Sequence, residues 1–281
     1  MLERRAYAKI NIGLHVLSKR ADGYHSIATI FAPLELHDEI RFARADDTTV
    51  TVYPPVEFDQ ADNLAYRAAM LLSRASRASC GAKITIIKHI PLGAGLGGGS
   101  SDAAVTLDAL NTLWGCHLSQ SELAELACQL GSDVPFFLQP SLTYAEGRGD
   151  ILTPLPPMQQ QHVLLVAPGF PISTAWAYGQ LSRYQPIQHD RPLADIFTIG
   201  KFSNDFLHAA CTNDFEPIVF ERFPELEVIK HTLIKCGARH ASLTGTGSVL
   251  YGFFESRDDA LIAAARFPRY RTFVTRTLAF S

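Results

Sequence analysis

The chain reads as an α+β protein of two domains, a mixed β/α N-terminal domain followed by a C-terminal domain of split β-α-β type. Three observations predict this. Period-two alternation dominates the first quarter, helical periodicity with proper caps sets in near residue 63, and the signals after residue 161 run β-α-β-β-α-β. The length of 281 residues agrees, at about 150 residues per domain.

From Ala6 to Val16, the apolar Ala6, Ala8, Ile10, Ile12, Leu14 and Val16 alternate with Tyr7, Lys9, Asn11, Gly13 and His15. That is a half-buried strand, and it puts Lys9 and Asn11 on one face. A turn at Ala21-Asp22-Gly23 leads to a strand over 27–34, with further short strands over 39–43 and 48–53. A helix follows over 63–78, capped by Asp62 or Asn63, with Leu64, Ala68, Leu71, Leu72 and Ala75 as its apolar stripe. Strand chemistry resumes over 83–90, the glycine-rich stretch 93–99 breaks it, and a helix over 101–114 follows. Ser119 and Glu122 form a capping box for the next helix, which Gly131 stops.

The Pro- and Gln-rich, aperiodic run over 153–161 marks a boundary between domains 1–156 and 157–281. Beyond it come a strand over 162–167, a helix over 226–236, strands over 241–244 and 249–254, a helix over 258–267 and a strand over 270–280. This is the ferredoxin-like split-βαβ order with extra helices inserted near 174–220, and the last strand is free to return to the first domain.

Composition removes several classes of function. With 47% apolar and 19% charged residues the chain can bury real cores, and no run approaches the ~20 apolar residues of a membrane span. A net charge of −3 gives nothing to draw the protein to a polyanion, so nucleic acid and membrane are not expected partners. The five cysteines form no CxxC pair and have no histidine at zinc spacing, so they are expected to be reduced, buried thiols. The start, Met-Leu-Glu-Arg-Arg, carries charge and no apolar h-region, and the expected compartment is the cytoplasm.

The strongest local signal is Pro91-Leu-Gly93-Ala94-Gly95-Leu96-Gly97-Gly98-Gly99-Ser100-Ser101-Asp102, between an apolar strand and a helix. Only a backbone that takes unusual dihedrals and approaches a ligand closely wants so many glycines. Successive N–H groups and the positive end of the following helix suit phosphate oxygens, and Ser100 and Ser101 add hydroxyls for phosphate or Mg²⁺. A Walker loop is excluded, because Gly-Ser-Ser stands where Gly-Lys-Ser would be required. The Gly93-x-Gly95-x-x-Gly98 pattern fits the dinucleotide expression, but helix rather than an acid-tipped strand follows it.

Two further segments carry chemistry. In Gly131-Ser-Asp133-Val-Pro-Phe-Phe, Asp133 taken alone reads first as a helix cap. In Leu243-Thr-Gly245-Thr246-Gly247-Ser, the simplest reading is a tight hairpin joining two strands. No HExxH and no Gly-x-Ser-x-Gly occurs, so the ten histidines do not by themselves indicate metal or triad chemistry.

Together, and in this order, the three segments resemble those of the GHMP kinase superfamily (galactokinase, homoserine, mevalonate and phosphomevalonate kinases). The runs Ala8-Lys9-Ile10-Asn11-Ile12-Gly13-Leu14 and Arg20-Ala21-Asp22-Gly23-Tyr24-His25 resemble its branch that phosphorylates a CDP-linked methylerythritol on the non-mevalonate route to isoprenoids. The resemblance implies the two-domain GHMP kinase fold, ATP and Mg²⁺ as cofactors, and transfer of the γ-phosphoryl to the alcohol's 2-hydroxyl. It implies Asp133 as base, Lys9 holding that carboxylate ionised and Asn11 orienting the hydroxyl. The loop from Pro91 and Gly93 to Ser101 would wrap the phosphates, with Ser101 as a metal contact. Asn63 and Lys88 fall at nucleotide-pocket positions, although they read equally as an N-cap and a surface lysine. Tyr24 and Tyr178 would sandwich the cytosine, His25 would bond its edge, and Thr174 would touch the diphosphate. The alternatives are a homoserine- or mevalonate-type kinase on the same loop, or a non-catalytic nucleotide- or RNA-binding module.

Overall fold

In a computed structural model of the chain, residues 1–55, 59–76, 80–181, 193 and 210–279 are described. They cluster into two compact units, neither of them contiguous: one of residues 1–8, 36–90 and 97–140, the other of residues 9–35, 91–96 and 141–281. A cut at 156/157 therefore divides the chain but not its packing. The reason is the length of strands β1 (Leu2–Lys19) and β2 (His25–Ala45), each of which gives one part to either unit.

In the first unit the end of β2 pairs antiparallel with β4 (Gly81–Ile87), from Glu39 opposite Ile87 to Ala45 opposite Gly81, and β3 (Thr49–Tyr53) lies parallel to β4. Among the described residues of this unit are the helices α1 (Leu64–Ser76), α2 (Gly98–Trp114) and α3 (Gln120–Leu130). Ile40, Phe42, Ile84 and Ile86 from the strands and Ala68, Leu72, Leu107 and Leu110 from the helices are all buried. Asn63 is the residue that caps α1, its Oδ1 accepting from the N–H groups of Ala65 (2.9 Å) and Tyr66 (3.3 Å). The capping box at Ser119 forms with both of its bonds. Residues 77 and 78, the expected end of α1, lie outside the described residues.

Several expected boundaries move. The strands expected over 27–34 and 39–43 are one continuous β2, because no turn residue interrupts Leu34-Glu-Leu36 and the strand finds separate partners at its two ends. The strand expected over 83–90 ends at Ile87, since the next backbone donors leave the ladder: His89 N (2.5 Å) and Ile90 N (2.9 Å) donate to Asp38 Oδ1. Helix α2 starts three residues earlier than expected, so Gly98 and Gly99 lie in its first turn. Of the five cysteines only Cys211 is buried and Cys128 is exposed, although all are free thiols.

In the second unit β7 (His162–Ala167), β8 (His240–Leu243), β9 (Leu250–Phe254) and β10 (Arg271–Arg276) form an antiparallel sheet in the order β10-β7-β9-β8. That is the split-βαβ order. Among the described residues its helices are α4 (Thr174–Gln180), α5 (Glu216–Arg222), α6 (Pro224–Lys235) and α7 (Arg257–Ala264). Leu164, Val166, Leu226, Ile229, Leu233, Leu250 and Phe254 are among its core residues. The strand expected over 270–280 stops at Arg276, and Leu278 N then donates to Pro33 O of β2 (2.8 Å). A hairpin of β5 (Thr143–Glu146) and β6 (Ile151–Pro154), which was not anticipated, pairs with β2 at Thr29–Phe31. Most of the insertion near 174–220 lies outside the described residues.

Candidate active site

Lys9 sits on β1 with only 3% of its surface exposed. Alternation puts Lys9 and Asn11 on the same side of the strand, and Lys9 Nζ donates to Asn11 Oδ1 at 2.6 Å. Asn11 Nδ2 donates to Thr29 Oγ1 (2.9 Å), and that hydroxyl donates to Gly13 O (2.6 Å). The Lys9 ammonium also lies 4.9 Å from the centroid of Phe31. Burial of an ammonium is costly unless its hydrogens are used, and one of them here goes to the amide oxygen of the same strand.

The third glycine turn joins β8 to β9 as a hairpin, Gly247 N donating to Thr244 O at 3.0 Å. Thr244 ties it to both neighbours: Asn11 N donates to Thr244 Oγ1 (3.1 Å), and that hydroxyl donates to Gly95 O (3.1 Å). Lys9 N donates to Leu96 O (3.0 Å) and Val249 N to Ala94 O (3.3 Å). Gly95 has φ +80°, and a Cβ there would stand 2.1 Å from Thr244 O. Within the second unit the stretch Gly93–Leu96, the turn Gly245–Gly247, Lys9 and Asn11 are thus one bonded assembly. Thr174, at the start of α4, reaches the same turn through Thr246, with 3.2 Å between their hydroxyls.

In the first unit Gly97 precedes α2 with φ 71°, and Gly98 to Ser101 form its first turn. Ser101 Oγ and Asp102 Oδ1 are buried without a hydrogen-bond partner. Lys88, the candidate surface lysine, is instead buried between two carboxylates, donating to Asp38 Oδ2 (2.5 Å) and Asp102 Oδ2 (2.8 Å). A Cβ on Gly98 would lie 3.3 Å from its ammonium. Burial pushes the Asp102 carboxyl up to about 7, with the Lys88 charge opposing that rise and the Asp38 charge adding to it. Two carboxylates around one lysine leave an excess negative charge that low-dielectric surroundings resist. Asp133 occupies the turn between the Gly131 stop of α3 and a 3₁₀ turn over Pro135–Leu138, half-buried.

Tyr24 and His25 lie at the end of the turn before β2. Asp22 Oδ1 accepts from Tyr24 N (3.1 Å), and Arg148 from the β5–β6 hairpin lies 5.0 Å from the Tyr24 ring centroid. The Tyr24 side is 57% exposed. His25 stands 5.6 Å from the Tyr178 ring at 30°, and Tyr178 meets Phe215 edge-on at 4.8 Å. Burial, then the Lys19 charge, lowers the His25 pKa, which favours a neutral ring with one donor and one acceptor nitrogen.

Sequence reading missed Asn213-Asp214-Phe215-Glu216. Asn213 Nδ2 donates to Leu243 O and Gly245 O, both at 2.8 Å. Val16 N donates to Asp214 Oδ2 (2.7 Å), and Leu243 N donates to Glu216 Oε1 (2.9 Å). All four are buried and three of them are polar, and buried polar groups are there to bond something; no sequence pattern marks that burial.

Such a fold, with a glycine loop leading into a helix and a buried strand lysine, defines a class of small-molecule phosphotransferase. Models of the GHMP kinase N-terminal and C-terminal domains match residues 63–140 and 200–271, and the chain belongs to the GHMP kinases, ATP-dependent enzymes. Within that family it is 40% identical, over 96% of its length and 95% of the relative's, to a 4-diphosphocytidyl-2-C-methyl-D-erythritol kinase from Chlorobium limicola. A crystal structure of 4-(cytidine 5'-diphospho)-2C-methyl-D-erythritol kinase superposes with a TM-score of 0.83 at 34% identity, covering 99% of this chain and 100% of that one. A mevalonate kinase from L. major, at 18% identity, TM-score 0.73 and coverage of 100% and 97%, shares the fold alone.

Proposed function

We propose that the chain transfers the γ-phosphoryl of ATP to the 2-hydroxyl of 4-diphosphocytidyl-2-C-methyl-D-erythritol, giving the 2-phosphate and ADP. The observation that carries this reading is the buried Lys9–Asn11 pair, bonded at 2.6 Å and tied to the third glycine turn, in a unit that also presents the His25–Tyr178 ring pair. Homoserine and mevalonate offer nothing for such a ring pair to stack on, whereas a pyrimidine does.

Asp133 accepts the hydroxyl proton as the oxygen attacks phosphorus. The new O–P bond forms as the bond to the β-phosphate oxygen breaks, and ADP leaves. Lys9 keeps the carboxylate ionised, and Asn11 orients Lys9 and the hydroxyl. Tyr24 and Tyr178 stack on cytosine, His25 bonds its edge and Thr174 approaches the diphosphate. Backbone N–H groups from Gly93 to Ser101 hold the triphosphate, with Pro91 shaping the entry to the loop. The Asn63 amide oxygen is used in capping α1 and the Lys88 ammonium is held by two aspartates, so these two act by bracing the nucleotide pocket. Mg²⁺ fits Ser101, whose buried hydroxyl has no protein partner and is a hard oxygen donor. When bound, the ion neutralises charge building on the transferring phosphate. Among the described residues no helix is long and apolar enough to cross a membrane, and we place the enzyme in the cytoplasm with two small-molecule substrates.

Asp133→Asn tests the mechanism. Loss of a general base lowers kcat by roughly 10²–10⁴ while the KM for ATP holds, read by coupled ADP release with the CDP-alcohol. Near-normal turnover removes Asp133 from the base role. Turnover of homoserine or mevalonate in place of the CDP-alcohol by the unaltered protein would replace the substrate assignment and leave the fold standing.

A further inference from the structure

Tyr178 lies on α4, a helix of only seven residues with a single fully buried side chain, Ala177. So short a helix holds an aromatic side chain in place only through what packs behind it. Behind Tyr178 stands Phe215, 4.8 Å away with its ring plane turned 70°, in the edge-to-face geometry that aromatic rings favour. Phe215 itself has 0% exposure, and both of its backbone groups are hydrogen-bonded, the carbonyl accepting from Val219 N (2.8 Å). Its N–H donates to Asn213 Oδ1 (2.9 Å), the same amide donates to Leu243 O and Gly245 O, and Asp214 N donates to Leu14 O (2.9 Å). The bonding runs without a gap from the third glycine turn through Asn213 to Phe215, and by ring contact from Phe215 to Tyr178 and His25.

We infer that Phe215 is a positioning residue for specificity: it fixes the plane of Tyr178, so that the Tyr178 ring meets a flat pyrimidine at the angle His25 requires. The inference rests on the proposed cytidine-bearing substrate. Phe215 touches no reacting atom. Its effect falls on binding of the base and leaves the phosphoryl-transfer step alone.

The test uses Phe215→Leu and the closer-volume Phe215→Met, each checked by circular dichroism melting, with CDP binding followed by calorimetry and steady-state kinetics measured for both substrates. We expect CDP affinity to weaken about tenfold or more and the KM for the CDP-alcohol to rise in step, while kcat and the KM for ATP stay within twofold. Folded variants that bind CDP as tightly as the unaltered protein, or that raise both KM values in proportion, overturn the inference. If the unaltered protein itself binds no CDP, the substrate reading fails first, and that outcome is separate from any result with the variants.

Discussion

The glycine loop can be dissected into positions the folded chain requires and positions only a ligand requires, using two alanine substitutions four residues apart. At Gly95 a Cβ would lie 2.1 Å from Thr244 O, a backbone atom that no side-chain rotation can move away. Its φ of +80° adds about 1–2 kcal/mol for a left-handed alanine. Relieving the clash separates the loop from the turn and gives up the Thr244 Oγ1 to Gly95 O and Val249 N to Ala94 O bonds, each worth about 1 kcal/mol. The native loop pose therefore loses about 3–4 kcal/mol, or on the order of 100- to 1,000-fold in population. At Gly99, in the first turn of α2, the nearest atom to an added Cβ is Leu64 Cδ1 of α1 at 3.6 Å, an ordinary contact, and alanine in a helix gains roughly 0.5–1 kcal/mol over glycine. Calorimetric melting with titration of an ATP analogue reads both. Gly95→Ala lowers Tm and weakens ATP by about 100-fold or more. Gly99→Ala holds or raises Tm, so any weakening of ATP there measures crowding of the phosphates. A Gly95→Ala protein with unaltered Tm and ATP affinity would refute the reasoning, as would a Gly99→Ala protein that melts below the unaltered one.

Two further expectations concern pH. Burial holds the folded Asp102 carboxyl up at about 7, above its ordinary value of 3.8, so the folded chain keeps a proton there that the unfolded chain releases. Stability then falls as pH rises from about 4 to 7 and levels off above it; urea midpoints across that range should show the slope, and Asp102→Asn should remove it. For His25 the shift is downward from 6.5, so its neutral ring persists into acid and its contribution to stability, full above 6.5, is lost as pH falls. KM for the CDP-alcohol should stay flat through pH 6.5, and a rise with an apparent pKa at or above 6.5 would count against His25 as a neutral base reader.

Regular elements were legible in the sequence wherever periodicity and caps coincide, as at α3 with its Ser119 box and at β7. The order β-α-β-β-α-β located the second sheet because β7 and β9 are short, largely apolar runs and the helices between the strands carry their own periodicity. What the sequence could not disclose was the sharing of β1 and β2 between units: alternation announces a strand but is silent on which partner each half meets. Of the two readings of Lys88, a nucleotide-pocket residue or a surface lysine, the second fails for a related reason. Its neighbours Asp38 and Asp102 are 50 and 14 residues away in sequence, and nothing local signals an ion cluster assembled from three elements.

The segment Asn213–Glu216 is the more telling omission, because its role is not chemistry but placement. Each of its side chains serves a different neighbour: Asn213 the glycine turn, Asp214 the end of β1, Phe215 the Tyr178 ring, Glu216 the N–H of Leu243. A motif search keyed to nucleophiles, bases and phosphate cradles passes over such residues. The physical cost of moving them is nonetheless borne by the residues that do carry chemistry. Asn213→Asp makes the point: a carboxylate oxygen would face Leu243 O and Gly245 O where an amide now donates to both. Two satisfied acceptors become a like-charged contact in a buried site, and leaving such groups unpaired costs about 1–3 kcal/mol each. The Gly245–Gly247 turn should therefore loosen while the backbone bond from Phe215 N to the residue-213 side chain survives. The kinetic signature is a fall in kcat with the CDP affinity retained, the mirror image of the Phe215 variants. If instead Asn213→Asp weakened CDP binding and left kcat alone, the turn would not be where Asn213 exerts its effect.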